Sequence, residues 1–323
     1  MTRSPHRPFG SNHPVVAAGA LAVALVGLFF ARGCTAPQPE PGEGQPFASP
    51  ATAVDALITA LRANDVERLR AIMGEGSRDI LYSGDENADR IKREKFLALY
   101  DARHRIAVDD DDPDARTLVV GNADWPFPIP LVRRGSQWAF DVAAGRDEII
   151  NRRIGENELT TIQVCKAIAD AQREYALARP DANAAREYAR KIISDEGQRN
   201  GLYWPAPEGE PESPLGEFVA AASAEGYTRR EHGPTPYHGY YYRILEAQGP
   251  NAPGGAADYV VNGKMTLGFA VVAYPADYGN SGIMTFMMGA DGVVYQSALG
   301  EKTAEAVEQM KAFDPGPGWT KVE

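Results

Sequence analysis

A long stretch without proline in the middle of the chain constrains the fold more than any other feature of the sequence. Residues 147–177 contain no proline, and apolar side chains such as Ile150 and Ile154 recur there at helical spacing. The spacing predicts a long helix, with Gly155 as a candidate break and Asn157 as a new cap. The apolar face of this helix needs a large partner to cover it.

The residues after this helix supply that partner, because they have the pattern of an antiparallel sheet. The expected strands cover residues 238–247, 259–261, 268–274, 283–287 and 293–296. Helices are expected before them over residues 182–193 and 218–224. We therefore expect residues 147–323 to form a C-terminal domain in which the long helix packs on an antiparallel sheet.

The chain before the long helix predicts a second unit of the same class. Helical spacing covers residues 51–61, 64–72 and 89–100, and short strands follow up to Phe140. Helices followed by a strand meander give an α+β layer, so residues 47–146 form the expected N-terminal domain behind a proline- and glycine-rich tether, 35–46. The predicted fold class is α+β, with two domains that each pack helices on an antiparallel sheet.

The N-terminus has the layout of an export signal. Basic residues precede an apolar run over residues 15–31, and Gly33 and Cys34 follow it. A cysteine directly after a signal core resembles a bacterial lipoprotein cleavage site, although Arg32 stands where a small residue is usual. Two alternatives stay open, namely lipidation of Cys34 or an uncleaved signal that remains as a membrane anchor. Both predict an exported protein of the periplasm or cell envelope, attached to the membrane through residues 1–34.

The charge of the chain excludes one class of partner. Its 323 residues include 33 basic and 44 acidic side chains, which give a net charge of −11. A non-specific nucleic-acid binder needs a basic face to displace counterions, so no nucleic-acid partner is expected. The two cysteines are too few for a disulfide framework or a thiolate zinc site.

Candidate catalytic residues are few, and none has the spacing of a known catalytic motif. His232 and His238 could hold a metal with a carboxylate, but no H-E-x-x-H pair is present, and His104 stands apart in sequence. Ser281 stands in Gly-Asn-Ser-Gly, which is not the G-x-S-x-G of a nucleophile elbow. Cys165 lies in the predicted long helix, where a buried thiol is the default. No catalytic residue, metal site or cofactor is therefore predicted.

Aromatic residues in the C-terminal part are the strongest candidates for binding. Tyr203 and Trp204 stand in a proline-rich loop, and strand alternation puts His238, Tyr240 and Tyr242 on one face. Such a face could stack on a glycan or a peptide of an envelope partner. The alternative is that these rings pack in the core, as large aromatic side chains usually do.

Several long motifs carry a resemblance to a bacterial family. They run in order along the chain as WPFPIPLV (125–132), RRIGENEL (152–159), GLYWP (201–205), YHGYYYRIL (237–245), GFAVVAYPADYGNSGIMTF (268–286) and VVYQSALGEKT (293–303). With these motifs the chain resembles the family called domain of unknown function 2950, from residue 47 to the C-terminus. The resemblance implies an exported protein and brings no reaction, cofactor or catalytic residue with it.

Two functional interpretations follow from these patterns. The first is a membrane-anchored envelope protein that binds or scaffolds and has no catalytic activity. The second is an envelope hydrolase that acts on peptidoglycan or peptide, which would need a nucleophile or a carboxylate pair and a base in one cleft. The C-terminal half is also similar to the heads of type IV pilins and pseudopilins, with a long helix, a Gly-Tyr-Tyr strand and a Gly-Val-Val-Tyr strand. That similarity is compatible with the binding interpretation.

Overall fold

A computed structural model describes residues 43–109, 112–178, 186–207, 209–228 and 233–322. The expected signal and anchor over residues 1–34, with Cys34, lie outside the described residues, as do His232 and most of the tether. No helix among the described residues is long and apolar enough to cross a membrane.

The described chain combines helices with antiparallel sheets, which confirms the α+β class. The helices are α1 (Pro50–Arg62), α2 (Val66–Met73), α3 (Arg78–Leu81), α4 (Glu86–Ala102), α5 (Val142–Leu177), α6 (Gly216–Ala224) and α7 (Thr303–Gln309). The strands of the N-terminal half are β1 (His104–Val108), β2 (Ala115–Val120), β3 (Trp125–Pro126), β4 (Leu131–Arg134) and β5 (Gln137–Phe140). The next strands are β6 (Lys191–Ile193), β7 (Gly201–Tyr203), β8 (Tyr240–Leu245), β9 (Ala247–Gln248), β10 (Ala257–Asp258), β11 (Val260–Val261) and β12 (Lys264–Met265). The last are β13 (Ala270–Pro275), β14 (Met284–Gly289), β15 (Val294–Ala298) and β16 (Thr320–Lys321).

The N-terminal half packs its helices on the sheet of β1 to β5. The strand order is β1-β2-β4-β5, with β3 beside β2. Helix α1 begins at a capping box, in which the Ser49 hydroxyl accepts from the Thr52 N–H and the Thr52 hydroxyl accepts from the Ser49 N–H. The helix then buries Leu57 in a core that it shares with Leu118 of β2 and Leu131 of β4.

Helix α5 is longer than the sequence predicts, and it continues without a break. It begins at Val142, where the Asp141 side chain caps the first turn. The expected break at Gly155 was wrong, because the helix tolerates a single exposed glycine at a cost of about 1 kcal/mol or less. Asn157 is no cap either, since it lies buried inside the helix and its side-chain amide donates to the Ser281 carbonyl oxygen at 2.9 Å.

The helix α5 contributes to two hydrophobic cores. Its first turn adds Val142 to the N-terminal core, and its second half adds Val164 and Ile168 to the core of the C-terminal sheet. The expected domain boundary after residue 146 therefore falls inside one continuous helix. That residues 147–323 fold as one unit stays a prediction.

The C-terminal sheet has the strand order β16-β15-β14-β13-β8 and is antiparallel throughout. Helix α5 packs against β13 and β14 in its centre. The central strands are apolar on both faces, as Val271 and Val272 are both fully buried. This burial explains the long apolar run of β13.

Residues 186–190 form no helix and residues 191–193 form the strand β6, so the helix expected over residues 182–193 was wrong for all of its described part, residues 186–193. Two tertiary contacts override the helical spacing. β6 pairs in parallel with β7, and the Gln172 side chain of α5 binds both backbone groups of Ala189, donating to its oxygen at 2.7 Å and accepting from its nitrogen at 2.8 Å. These contacts replace the hydrogen bonds of a helix.

Candidate functional site

A cavity of about 250 Å³ lies between the N-terminal helices, α5 and the segment from β3 to Ile129. Its apolar lining comes from every one of these elements: Leu57, Leu61, Leu69, Met73, Ile80, Leu81, Phe96, Trp125, Phe127, Pro128, Ile129 and Ile149. Sites for small molecules in proteins are mostly apolar and measure about 300–1,000 Å³. The cavity is therefore close to the lower end of that range, and it suits a small ligand.

Three aromatic rings form one side of the cavity. The rings of Phe96 and Phe127 have centroids 5.2 Å apart, and Phe96 meets Trp125 edge to face at 6.4 Å. The guanidinium of Arg152 lies 5.4 Å from the centre of the Trp125 ring. Such edge-to-face and cation–π contacts fix the orientation of the rings, so the wall is formed before any ligand enters.

Charged side chains from α4 and α5 complete the lining. They are Asp89, Lys92, Arg93, Arg152, Arg153 and Glu156. The Nζ of Lys92 lies 3.2 Å from Oε2 of Glu156. Burial lowers the pKa of Lys92, and the neighbouring Glu156 partly offsets this effect. Four cations face two carboxylates, so the lining carries a formal excess of positive charge.

Arg153 is the most deeply buried of these charged groups, with 5% of its surface exposed. It donates to the backbone oxygens of Asp79, at 2.7 Å, and of Ile80, and to the side-chain oxygen of Asn280. Its Nε–H is buried and has no acceptor in the described part of the chain. Burial lowers the pKa of Arg153, because removal from water disfavours the charged form of the side chain.

Asp89 brings a buried carboxyl to the same cavity. Its Oδ2 accepts from the Ser83 N–H at 2.9 Å. Burial is the largest influence on this carboxyl and raises its pKa, while the hydrogen bond from Ser83 and the charge of Arg153 act against that rise. The lining therefore combines an apolar body with a small charged end.

A second polar cluster lies where α4, the end of α6 and the turn before β8 meet. The Asp85 carboxylate accepts from the hydroxyl of Tyr227 at 3.1 Å and from the Gly239 N–H at 2.9 Å. His238 adopts a positive φ of 47° there, and its Nε2 lies 3.2 Å from the Glu225 carboxylate. Burial strongly raises the pKa of Tyr227. These hydrogen bonds hold two chain segments together.

The His238 side chain makes the stability of the fold depend on pH. Burial lowers its pKa from 6.5, although Glu225, Asp85 and Glu156 oppose this and Lys92 adds to it. Below about pH 6.5 the histidine therefore binds a proton more readily in the unfolded chain than in the folded protein. The free energy of unfolding decreases as the pH falls toward the pKa of the folded state. We expect the free energy of unfolding of the parent to fall more than that of His238→Asn between pH 7 and pH 5. An asparagine tolerates the positive φ and does not titrate.

Chemical denaturation of both proteins across this pH range measures the difference directly. The carboxyl groups contribute to the pH dependence of both proteins. Comparing the two proteins removes this shared contribution. Equal losses in the two proteins would contradict a lowered pKa at His238.

The aromatic residues that the sequence singles out are packed against the C-terminal core. Tyr240 is fully buried and donates to the Met284 oxygen at 2.9 Å, and the hydroxyl of Tyr242 lies 3.2 Å from that of Thr161. Tyr203 and Trp204 are half-buried against the same core, and Trp204 meets the ring of Tyr175 edge to face. His238 lies in the polar cluster around Asp85. Tyr240 and Tyr242 therefore contribute to the packing between β8, β14 and α5. Binding by Tyr203, Trp204, His238, Tyr240 and Tyr242 stays a prediction.

The candidate nucleophiles are in structural positions. Burial raises the pKa of Cys165 to about 12. The hydroxyl of Ser281 is fully buried and bonds both the N–H and the carbonyl oxygen of Asp277. His104 stacks on Tyr100 with ring centroids 3.7 Å apart. Across the described residues, no three side chains of the metal-binding types are grouped for a metal ion.

A family model described as a protein of unknown function (DUF2950) matches residues 44–322. The chain belongs to the DUF2950 family. The resemblance carried by the sequence motifs is thereby confirmed. No curated protein and no solved structure matches the chain.

The motifs of this DUF2950 chain meet in space around α5. RRIGENEL contributes Arg153 and Asn157, and the GNSG turn contributes Asn280 and Ser281, which these two side chains contact. Glu158 of the same helix accepts from two successive backbone N–H groups at the start of β14. The motifs therefore join the C-terminal sheet to the helix that closes the cavity.

Sequence reasoning missed the charged part of the DUF2950 cavity. Arg152 forms an exposed ion pair with Glu148 at 2.6 Å, whereas Arg153 is buried. Helical spacing places Arg153 beside Ile150 and Ile154 on the buried face of α5. A charged residue on an apolar helix face is unusual, and this pattern could have indicated the site.

Proposed function

We propose that the DUF2950 protein is a binding protein that holds a small, largely apolar molecule in the cavity between α1, α4 and α5. The observation that supports this most directly is the cavity of about 250 Å³, with an apolar lining, three aromatic rings and a charged end. An apolar pocket with a few converging polar groups is the ordinary form of a small-molecule site. Its aromatic wall suits a ligand that contains a ring.

The binding interpretation is favoured over the envelope hydrolase. A hydrolase needs a nucleophile that a neighbouring base can activate. The hydroxyl of Ser281 is committed to the turn at Asp277, and the pKa of Cys165 near 12 keeps that thiol protonated. No observation on the described residues favours hydrolysis.

Filling the cavity tests the proposal. Ile149 lies half-buried on α5 and lines the cavity, so Ile149→Trp inserts a large ring into it. The matched control is Leu159→Trp on the same helix, where the side chain is 68% exposed. With the neutral probe 3-phenylpropanamide, we expect Ile149→Trp to bind at least about tenfold more weakly than the parent, because 1.4 kcal/mol of lost contact has that effect.

Isothermal titration calorimetry measures the three affinities, and circular dichroism shows that each variant is folded. Leu159→Trp should bind as the parent does. If Ile149→Trp binds the probe as tightly as the parent, or if the parent binds neither this probe nor its carboxylate counterpart 3-phenylpropionate, the cavity is not the site.

We further propose that the protein is exported and attached to the membrane through residues 1–34. The order of basic residues, apolar run, Gly33 and Cys34 supports this. We expect the parent in the membrane fraction of cells that express it. Membrane retention of Cys34→Ser with no change in size would indicate a signal anchor, and loss of processing would indicate lipidation. A parent protein that remains soluble in the cytoplasm would contradict the proposal.

A further inference from the structure

We propose that the molecule bound in the cavity is a carboxylic acid, whose carboxylate pairs with Arg153 and Lys92 while its apolar body contacts the aromatic wall. This inference rests on the proposed function, because it names the chemical class of the ligand. The cavity lining supplies both parts of such a molecule's site.

The first support is the unused donor of Arg153. Its hydrogen bonds to the described residues all end on uncharged oxygens, namely two backbone carbonyls and the side-chain amide of Asn280. The Nε–H is buried without an acceptor among the described residues. A buried donor without a partner is costly, and an arginine N–H bonds most strongly to a carboxylate oxygen. Arg153 therefore lines the cavity without a hydrogen bond to any carboxylate of the described residues, and an anionic ligand would supply one.

The second support is the balance of charge in the cavity. Two of its four cations also contact carboxylates of the protein: Arg152 pairs with Glu148, and Lys92 pairs with Glu156. The Asp89 carboxyl is held by the Ser83 N–H. With these two pairs set aside, Arg93 and Arg153 face the single carboxyl of Asp89, so one cation is in excess in a chain whose net charge is −11. A local excess of positive charge in an acidic protein favours an anion over a cation.

The third support is the size and the character of the remaining lining. The cavity volume of about 250 Å³ leaves room for a small body beside the charged end. Phe96 and Phe127, whose centroids lie 5.2 Å apart, present ring surfaces to that body. The ligand class is therefore a small carboxylic acid with an aromatic or short aliphatic body, which buries its apolar part and pairs its carboxylate.

Three probes that differ only in the terminal group separate this inference from the proposed function. They are 3-phenylpropionate, 3-phenylpropanamide and 3-phenylpropylamine, titrated into the parent protein by calorimetry at pH 7. We expect the acid to bind about tenfold more tightly than the amide, because a hydrogen bond to a charged group is about twice as strong as one between neutral groups. The amine should bind most weakly of the three.

Arg153→Met tests the assigned donor, with Arg173→Met on an exposed face of the same helix as the control. In Arg153→Met the preference for acid over amide should fall below threefold, whereas Arg173→Met should keep it. Arg153 also holds the segment at Asp79 and Ile80, so Lys92→Met serves as a second variant if Arg153→Met does not fold. Lys92→Met should reduce the same preference by at least threefold.

The titrations distinguish the carboxylate inference from the proposal that the cavity is the binding site. Equal affinities for acid and amide in the parent would overturn the carboxylate inference and leave the cavity as the binding site. Tightest binding of the amine would overturn it as well. A parent that binds none of the three probes would overturn both proposals. An acid preference that survives in both Arg153→Met and Lys92→Met would remove these two residues from the site.

Discussion

Replacing Gly145 by alanine is expected to destabilise the protein by about 1–3 kcal/mol, which is the usual cost of forcing an extra carbon into a packed site. Gly145 lies in α5 at the point where the helix crosses the segment that forms one wall of the cavity. A Cβ at this position would lie 2.3 Å from the backbone oxygen of Pro128 and 2.7 Å from the nitrogen of Ile129. These are backbone atoms, so no side-chain rotation relieves the clash, and the helix must move away from the wall.

The matched control for this variant is Gly155→Ala, ten positions further along the same helix. Nothing lies within 4 Å of a Cβ built at Gly155. Alanine is the better helix former, so we expect Gly155→Ala to stabilise the protein by about 0.5–1 kcal/mol. Urea denaturation of the three proteins measures both effects. A Gly145→Ala variant as stable as Gly155→Ala would show that α5 does not pack closely on residues 128–129.

Replacing Tyr240 by alanine is expected to cost about 3–5 kcal/mol of stability, as truncation of a buried aromatic side chain usually does. Tyr240 begins β8, has no exposed surface and donates from its hydroxyl to the Met284 oxygen at 2.9 Å. Its ring packs tightly on the turn at Gly282, where an added Cβ would lie 2.0 Å from the hydroxyl oxygen. Loss of the ring therefore removes apolar contact and leaves a carbonyl oxygen unpaired.

The adjacent Tyr241 provides the control for this variant. It points to the other face of the strand, is half-buried and meets the ring of Tyr274 at 5.4 Å. We expect Tyr241→Ala to cost clearly less than Tyr240→Ala in thermal or urea denaturation. If Tyr240→Ala leaves stability unchanged and weakens retention of an envelope partner, Tyr240 is a binding residue and the core assignment is wrong.

Most helices and strands of this fold can be predicted from local patterns in the sequence. Helix α5 and the strands β8, β13 and β14 could be predicted because apolar periodicity is a property of neighbouring residues. Residues 191–193 could not, because Gln172 fixes Ala189 from a distance in the chain and pairing with Gly201 determines the strand. Tertiary contacts of this kind override weak local preferences.

The candidate site was harder to predict than the elements that surround it. Its lining comes from α1 to α5 and from the segment after β3, so no short stretch of sequence contains it. Trp125 and Phe127 are near each other in sequence, but their contact with Phe96 depends on how α4 packs. Arg153 is buried on α5, and its role depends on backbone oxygens of Asp79 and Ile80 that lie far away in the sequence.

The position of the ligand is the central claim, and the tryptophans of the chain report it directly. The four tryptophans, Trp125, Trp138, Trp204 and Trp319, give four fluorine resonances in protein that contains 5-fluorotryptophan. Each is assigned by a single Trp→Phe substitution. On titration with 3-phenylpropanamide, the Trp125 resonance is expected to shift with saturation, because its ring lines the cavity, while Trp204 and Trp319 stay in place. A shift of Trp204 with no change at Trp125 would contradict the account and move the site to the proline-rich loop.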